Sequence, residues 1–173
     1  MSASALDIVK SVCASMKRSP GGSAEYNKNW VALQCICPEA ASGAAEVLDH
    51  KCITRVVARE SRRQFHLVEG QTRGEVHTIL PGFCTCMYYC INVASKPEAV
   101  VCKHELAVLL ADSLSLTQQR VIDDELWAQD ARRWRVECEP AYAHGHLALT
   151  RRSFLRCVPS SKRTRACRNT RCR

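Results

Sequence analysis

The sequence predicts an α+β domain: a small antiparallel sheet of about three strands, stapled by a zinc knuckle and packed against helices, followed by a disordered basic tail. Three observations predict it. Apolar residues recur at helical spacing before residue 50 and again after residue 105, whereas short β-rich runs fill the interval 52–80. The last of those runs leads into Cys84-Thr85-Cys86 and, fifteen residues later, into Cys102-Lys103-His104. Past Leu149 the composition collapses into Arg, Ser, Thr and Cys, with no periodic apolar pattern left to build a core.

The helical elements come first. Leu6, Val9, Val12, Cys13 and Met16 share one helical face, and Ser19-Pro20-Gly21-Gly22-Ser23 ends that helix with turn formers. A second apolar segment, Trp30 to Ile36, stops before Pro38, because the residue preceding a proline is pushed out of the helical region. Ala40 to Leu48 reads as a third helix built of small residues. From Cys52 the period shortens. Ile53, Val56 and Val57 lie in one β-run and Phe65, Leu67 and Val68 in the next, with Arg59-Glu60-Ser61-Arg62 as the hairpin connection. A third run, Val76 to Leu80, leads through Pro81-Gly82-Phe83 to the first cysteine pair. Three short strands alone are marginal, so metal and helices must supply the rest of the core. Helical spacing returns at Leu106, Leu109, Leu110 and Leu114, the stripe expected to face the core, and a further helix is expected from Ile122 to Trp134. The organisation expected is a helical N-terminal region at 1–43, a zinc-binding domain at 44–140 with its zinc segment at 84–104, and the tail at 141–173.

Composition narrows the function classes. The net charge of +8 belongs to the tail: residues 1–150 hold 16 Lys/Arg against 17 Asp/Glu, while residues 151–173 hold nine Lys/Arg and no acid. A nearly neutral domain argues against a broad nucleic-acid-binding face. Only Lys162-Arg163-Thr164-Arg165 with Arg168, Arg171 and Arg173 offers phosphates a basic run, read first as a nuclear-targeting or disordered tail. No apolar run approaches the roughly 20 residues that span a bilayer. Asp7 and Lys10 interrupt the N-terminal apolar pattern, so no secretory signal is expected, and twelve cysteines then point to metal ligation and buried thiols in a reducing compartment.

Cys84, Cys86, Cys102 and His104 are a full tetrahedral ligand set for one structural Zn2+. In an extended segment residues two apart point to the same side, so Cys84 and Cys86 can share a metal. Inside a helix, residues two apart diverge by about 200°. Cys102 is therefore expected at or before a helix start, with His104 in the first turn. Four protein donors leave no open position for water, which argues against catalysis at the metal. Other enzyme signatures are missing too. The residue four beyond His104 is Val108, not the second histidine of a zinc-hydrolase motif, and no phosphate-binding Gly-rich loop with Lys-Ser/Thr occurs. No small-molecule substrate is expected. Cys35 and Cys37 read as core thiols, and Cys13, Cys52, Cys90 and Cys138 as small buried hydrophobes, with Cys90 a conceivable substitute ligand. Cys157, Cys167 and Cys172 have no expected partner, and His144 and His146 read as surface residues. Tyr88 and Tyr89 are candidates either for a partner contact or for a lid over the zinc.

These residues carry a resemblance. Cys84-Thr85-Cys86 and Cys102-Lys103-His104 are similar to the Cys-x-Cys…Cys-x-His motif of SWIM domains. Together with Ala45-Glu46-Val47-Leu48-Asp49, Ile53-Thr54, Arg63-Gln64-Phe65-His66-Leu67-Val68-Glu69-Gly70 and Glu105-Leu106-Ala107-Val108, the chain most resembles the small SWIM-domain subunits of the Shu complex over about residues 44–112. It departs from them at Met87-Tyr88-Tyr89-Cys90, where a Pro-aromatic sequence is expected. The resemblance implies a nuclear, non-enzymatic adaptor of homologous-recombination DNA repair. Such an adaptor pairs with a RecA-like recombinase paralogue and promotes recombinase filaments on single-stranded DNA, which it meets through the complex, with no membrane involved. The alternative is a SWIM-type nucleic-acid-binding or transcription-related protein.

Overall fold

Ser4 opens the first helix, α1 (Ala5–Met16), by a reciprocal cap: its hydroxyl accepts the Asp7 N–H, and the Asp7 carboxylate accepts the Ser4 N–H. The Ser4 hydroxyl, which donates to the Asp7 carboxylate at 2.7 Å, and then the Ser4 N–H hold the Asp7 carboxyl below the usual carboxylate range. The structure is a computed structural model, and it describes residues 4–19, 21–50, 53–70 and 75–130. Ser23 caps α2 (Ala24–Ile36) by accepting the Tyr26 N–H at 3.1 Å, so this helix starts well before the Trp30 expected from its apolar residues. Pro38 occupies the first turn of α3 (Pro38–Asp49), where its missing N–H costs nothing.

The strands are β1 (Ile53–Ala58), β2 (Gln64–Glu69), β3 (Val76–Leu80), β4 (Phe83–Cys84) and β5 (Gln118–Ile122), arranged β4-β3-β2-β1-β5. β1, β2 and β3 form the antiparallel meander that the sequence predicts. The sheet is larger than the three antiparallel strands expected, and it is mixed. β4 adds a two-residue edge, and β5 pairs parallel to β1, with Thr54 opposite Gln118 and Ala58 opposite Ile122. Between β4 and β5 lie a seven-residue π-helical turn, Tyr89–Ser95, and α4 (Lys103–Leu114). The helix expected from Ile122 to Trp134 is a strand up to Ile122 and then a helix at 124–130. Trp134 lies outside the described residues.

Alternation divides the sheet between two clusters. Ile53, Val68, Ile79 and Cys84 face the helices and join Val9, Cys13, Met16, Leu33, Ala40, Ala41, Ala44, Leu106 and Leu110 in the main core. The Leu106/Leu110 stripe is buried as expected, with Leu109 half-buried beside it. On the opposite face Val56, Phe65 and Ile122 pack with Trp127, whose ring sits 5.9 Å from Phe65. The small residues of α3 let α4 come close: a Cβ on Gly43 would lie 2.8 Å from the Lys103 side chain. The expected boundary at residues 43 and 44 therefore falls inside α3, whose two halves serve one core with α1, α2 and α4. All described residues belong to one compact unit, Met1–Glu139.

The thiols divide differently from expectation. Cys13 and Cys37 are buried but Cys35, on α2, is exposed; Cys37 is the non-helical residue between α2 and α3 (φ −144°, ψ 69°). Cys52, Cys138, His144, His146 and the tail at 141–173 with its cysteines and basic run lie outside the described residues. No helix among the described residues is long and apolar enough to cross a membrane.

Candidate metal centre

A two-residue turn brings the first ligand pair into place. Leu80 pairs with Phe83 across Pro81-Gly82, and Gly82 adopts φ 73°, the Pro-then-glycine arrangement of a type II turn. β4 ends on Cys84. Pairing then continues one step further: the Thr85 N–H donates to the Thr78 carbonyl at 3.1 Å, and the Thr85 hydroxyl accepts the Thr78 N–H at 2.9 Å. That extended residue leaves Cys84 and Cys86 on one side. The second pair arrives from α4. Cys102 is its N-cap residue with extended φ/ψ, and His104 lies in the first turn, as the spacing requires.

The four side chains converge. The Sγ atoms of Cys84, Cys86 and Cys102 and a ring nitrogen of His104 all lie within 4.8 Å of one another, and all four residues are buried. His104 Nδ1 is 4.0 Å from Cys84 Sγ. A tetrahedral zinc with Zn–S near 2.3 Å and Zn–N near 2.0 Å separates its donors by roughly 3.5–3.8 Å, so this set closes on a metal by contracting about an ångström at most. Each sulfur also has a backbone donor: Cys86 N–H to Cys84 Sγ at 3.5 Å, Tyr89 N–H to Cys86 Sγ at 3.3 Å, and Glu105 N–H to Cys102 Sγ at 3.4 Å. Such N–H groups stabilise negative sulfur, which is the form a metal needs.

Three thiols packed this closely do not ionise alike. Hydrogen bonds from the Cys102 and Cys84 thiols pull Cys86 far below the usual thiol range. Cys84 is pushed far up by bonding to Cys102 and Cys86 and by burial. A divalent cation removes this conflict by letting all three sulfurs be thiolates together. The donor set of three soft sulfurs and an imidazole suits Zn2+, which Cys84, Cys86, Cys102 and His104 would hold with four protein donors.

A surrounding shell supports the ligands, and the sequence reading did not anticipate it. The His77 ring lies 4.1 Å from the His104 ring, and His77 Nε2 is 3.3 Å from Glu75 Oε1. Burial and then the charge of His104 lower the His77 pKa. The Gly82 carbonyl accepts the Tyr89 hydroxyl, and the Gly82 backbone favours the charged form of the buried Glu105 carboxyl. Burial nevertheless raises the Glu105 pKa. The only available signal was positional, since His77 sits on β3 opposite Val68, which faces the core.

The two tyrosines split their candidate roles. Tyr89 is 9% exposed and packs edge-on against Phe83, centroid to centroid 5.9 Å, while its N–H meets Cys86 Sγ. Tyr88 is 38% exposed, and its hydroxyl donates to Glu39 at 3.1 Å, leaving its ring on the surface. Cys90 is half-buried one helical turn beyond Cys86, outside the four-donor cluster.

Comparison with known proteins gives one consistent result. The chain is 28% identical over 95 residues to a zinc finger SWIM domain-containing protein 7 homolog of Dictyostelium discoideum, covering 54% of this chain and 61% of that protein. It is 28% identical over 97 residues to zinc finger SWIM domain-containing protein 7 of Danio rerio, covering 55% and 68% respectively. Against the protein of that name in Homo sapiens it is 23% identical over 95 residues, covering 55% and 68%. No family model matches the chain, and no solved structure matches it. Over about half its length the chain is thus similar to SWIM-type zinc-finger proteins, and it carries a buried Cys-x-Cys…Cys-x-His cluster that could hold a metal ion.

Proposed function

We propose that this chain is a non-catalytic adaptor of homologous-recombination repair, acting in the nucleus, in which one structural Zn2+ shapes a protein-binding face. The face is offered to a RecA-like recombinase paralogue, and the pair promotes recombinase filaments on single-stranded DNA. The observation that carries the non-catalytic part is closure. All four donors are buried protein side chains, so the metal has no free position at which to polarise a substrate or ionise water. The partner class comes from the resemblance to the Shu-complex subunits; the relatives support the SWIM-type zinc finger itself.

The test is co-expression with a RecA-like paralogue from the same organism, using wild type, Cys84→Ser and His104→Ala. The expected result is a stoichiometric complex with wild type and none with either variant. A variant without metal that retains full partner binding contradicts the role given to the zinc. Failure of the wild type to bind any recombinase paralogue, with tight binding to duplex DNA by the domain itself, would favour the nucleic-acid-binding alternative.

A further inference from the structure

The two edges of the sheet differ in kind. At one, β4 is two residues long and passes straight into the metal loop. At the other, β5 runs for five residues, four of them exposed. Its register with β1 is unbroken from Thr54–Gln118 to Ala58–Ile122, so no bulge turns it away. Gln118-Gln119-Arg120-Val121-Ile122 contains no Pro and no Lys. Of the devices that ordinarily guard an edge strand, β5 has neither proline, lysine nor bulge, only the charge of Arg120.

The hydrogen-bonding phase of β5 is fixed. The Arg59 N–H donates to the Ile122 carbonyl at 2.9 Å. In a parallel ladder alternate residues bond to a given neighbour, so Gln118, Arg120 and Ile122 turn their backbone groups to β1. The amides and carbonyls of Gln119 and Val121 point away from β1, and no described residue pairs with them. A regular row of outward N–H and C=O groups is satisfied by one kind of ligand, an extended backbone.

The side chains say which. Val121 is 42% exposed beside Val57, extending an apolar row to the rim of the sheet. Arg120 lies on the other face, next to Val56, with no carboxylate within ion-pair distance among the described residues. β5 itself has no acidic residue, so a second copy pairing edge to edge would bring Arg120 no counter-charge.

We propose that the free edge of β5 takes an extended segment of a partner protein as a sixth strand, a carboxylate of that segment meeting Arg120 and an aliphatic side chain lying against Val121. This rests on the reading that the chain has a protein partner, and it names the surface.

Two substitutions separate the edge from the fold. Val121→Pro removes an outward N–H without removing a β1–β5 bond, a place where edge strands tolerate proline. Arg120→Glu leaves the backbone alone and inverts the charge. Both are measured on the complex with the recombinase paralogue, after metal content and thermal midpoint are shown to match wild type. Each variant is expected to weaken the complex by about tenfold or more. Amide exchange at Gln119 and Val121 is expected to slow by a similar factor when the partner binds. Unchanged affinity for Arg120→Glu, with both amides exchanging as fast in the complex as in the free chain, overturns the proposal while leaving the partner reading intact. Absence of any wild-type complex overturns both. Concentration-dependent protection of the two amides in the free chain assigns the edge to a second copy and also overturns it.

Discussion

Cys102 Sγ accepts the Glu105 backbone N–H at 3.4 Å, so the sulfur that offers itself to the metal also caps α4. Serine caps a helix at least as well as cysteine but is a poor zinc ligand. Cys102→Ser and Cys102→Ala therefore separate the two roles. Both should lose the metal, read by elemental analysis. Structural zinc carries about 10–16 kcal/mol of apparent binding energy, comparable to or above the ~5–15 kcal/mol net stability of a domain, so both should lose their cooperative thermal transition. Cys102→Ser should keep more helical circular dichroism, because its cap is worth about 1 kcal/mol relative to alanine. Equal helical content in the two variants would refute the capping role.

Gly43 and Lys103 form a second such pair, where α3 crosses α4. Alanine ordinarily gains about 1 kcal/mol over glycine inside a helix. Here the added Cβ meets Lys103 Cδ at 2.8 Å and Cβ at 3.1 Å, between two metal ligands. Gly43→Ala should therefore destabilise the protein and weaken metal retention against a chelator. In a Lys103→Ala background the 2.8 Å contact with Cδ is gone and only the 3.1 Å contact with Cβ remains, so the same change should cost clearly less in chemical denaturation than it does beside lysine. A Gly43→Ala variant more stable than wild type in both backgrounds would show that Lys103 yields freely.

Asp112 binds three elements to the end of α4. It accepts Arg55 Nη2 at 2.6 Å and the Thr117 hydroxyl at 2.6 Å, and His66 Nε2 lies 3.2 Å away. Burial opposes its ionisation, but the bonds from His66, Thr117 and Arg55 win and hold the carboxyl far below the usual range. Asp112→Ala removes the acceptor of Arg55 Nη2 and of the Thr117 hydroxyl and should cost about 1–3 kcal/mol, the site being partly wet. A cycle with Arg55→Met should show a coupling of about 1 kcal/mol. Additive losses would mean that Arg55 contributes through packing alone.

Cys13 gives the pH dependence. Burial, helped by the neighbouring Cys37, pushes its thiol up to about 12 from 9.0. The folded state keeps this proton where the unfolded state has released it. Its contribution is thus fully present below pH 9 and is lost as pH rises towards 12, with a slope of at most about 1.4 kcal/mol per pH unit. Denaturation between pH 8 and pH 11 should show a shallower decline for Cys13→Ala than for wild type. Parallel declines would place the alkaline sensitivity elsewhere.

The metal site was the most legible part of the chain, because four side chains of restricted chemistry at fixed spacing admit few arrangements, and the N-cap position of Cys102 followed from helix geometry alone. The meander was legible through alternation in Ile53–Ala58 and Gln64–Glu69. β5 was not, since Gln118-Gln119-Arg120-Val121-Ile122 is exposed along most of its length and carries no periodic burial signal. Its parallel pairing with β1 spans more than sixty residues of sequence, a contact that local pattern does not encode. The early start of α2 was hidden for a related reason. Its first turn is held by Ser23, while its apolar residues begin only near Trp30. The π-helical turn at Tyr89–Ser95, which fills the loop between ligand pairs, likewise has no sequence periodicity to announce it.

The central claim is a closed zinc with three sulfur ligands and one nitrogen. X-ray absorption at the zinc edge, on protein purified without added metal and assayed for zinc per chain, tests it directly. One zinc per chain is expected, with three sulfurs near 2.3 Å and one nitrogen near 2.0 Å. Substoichiometric metal, or a shell containing water or carboxylate oxygen, would contradict it.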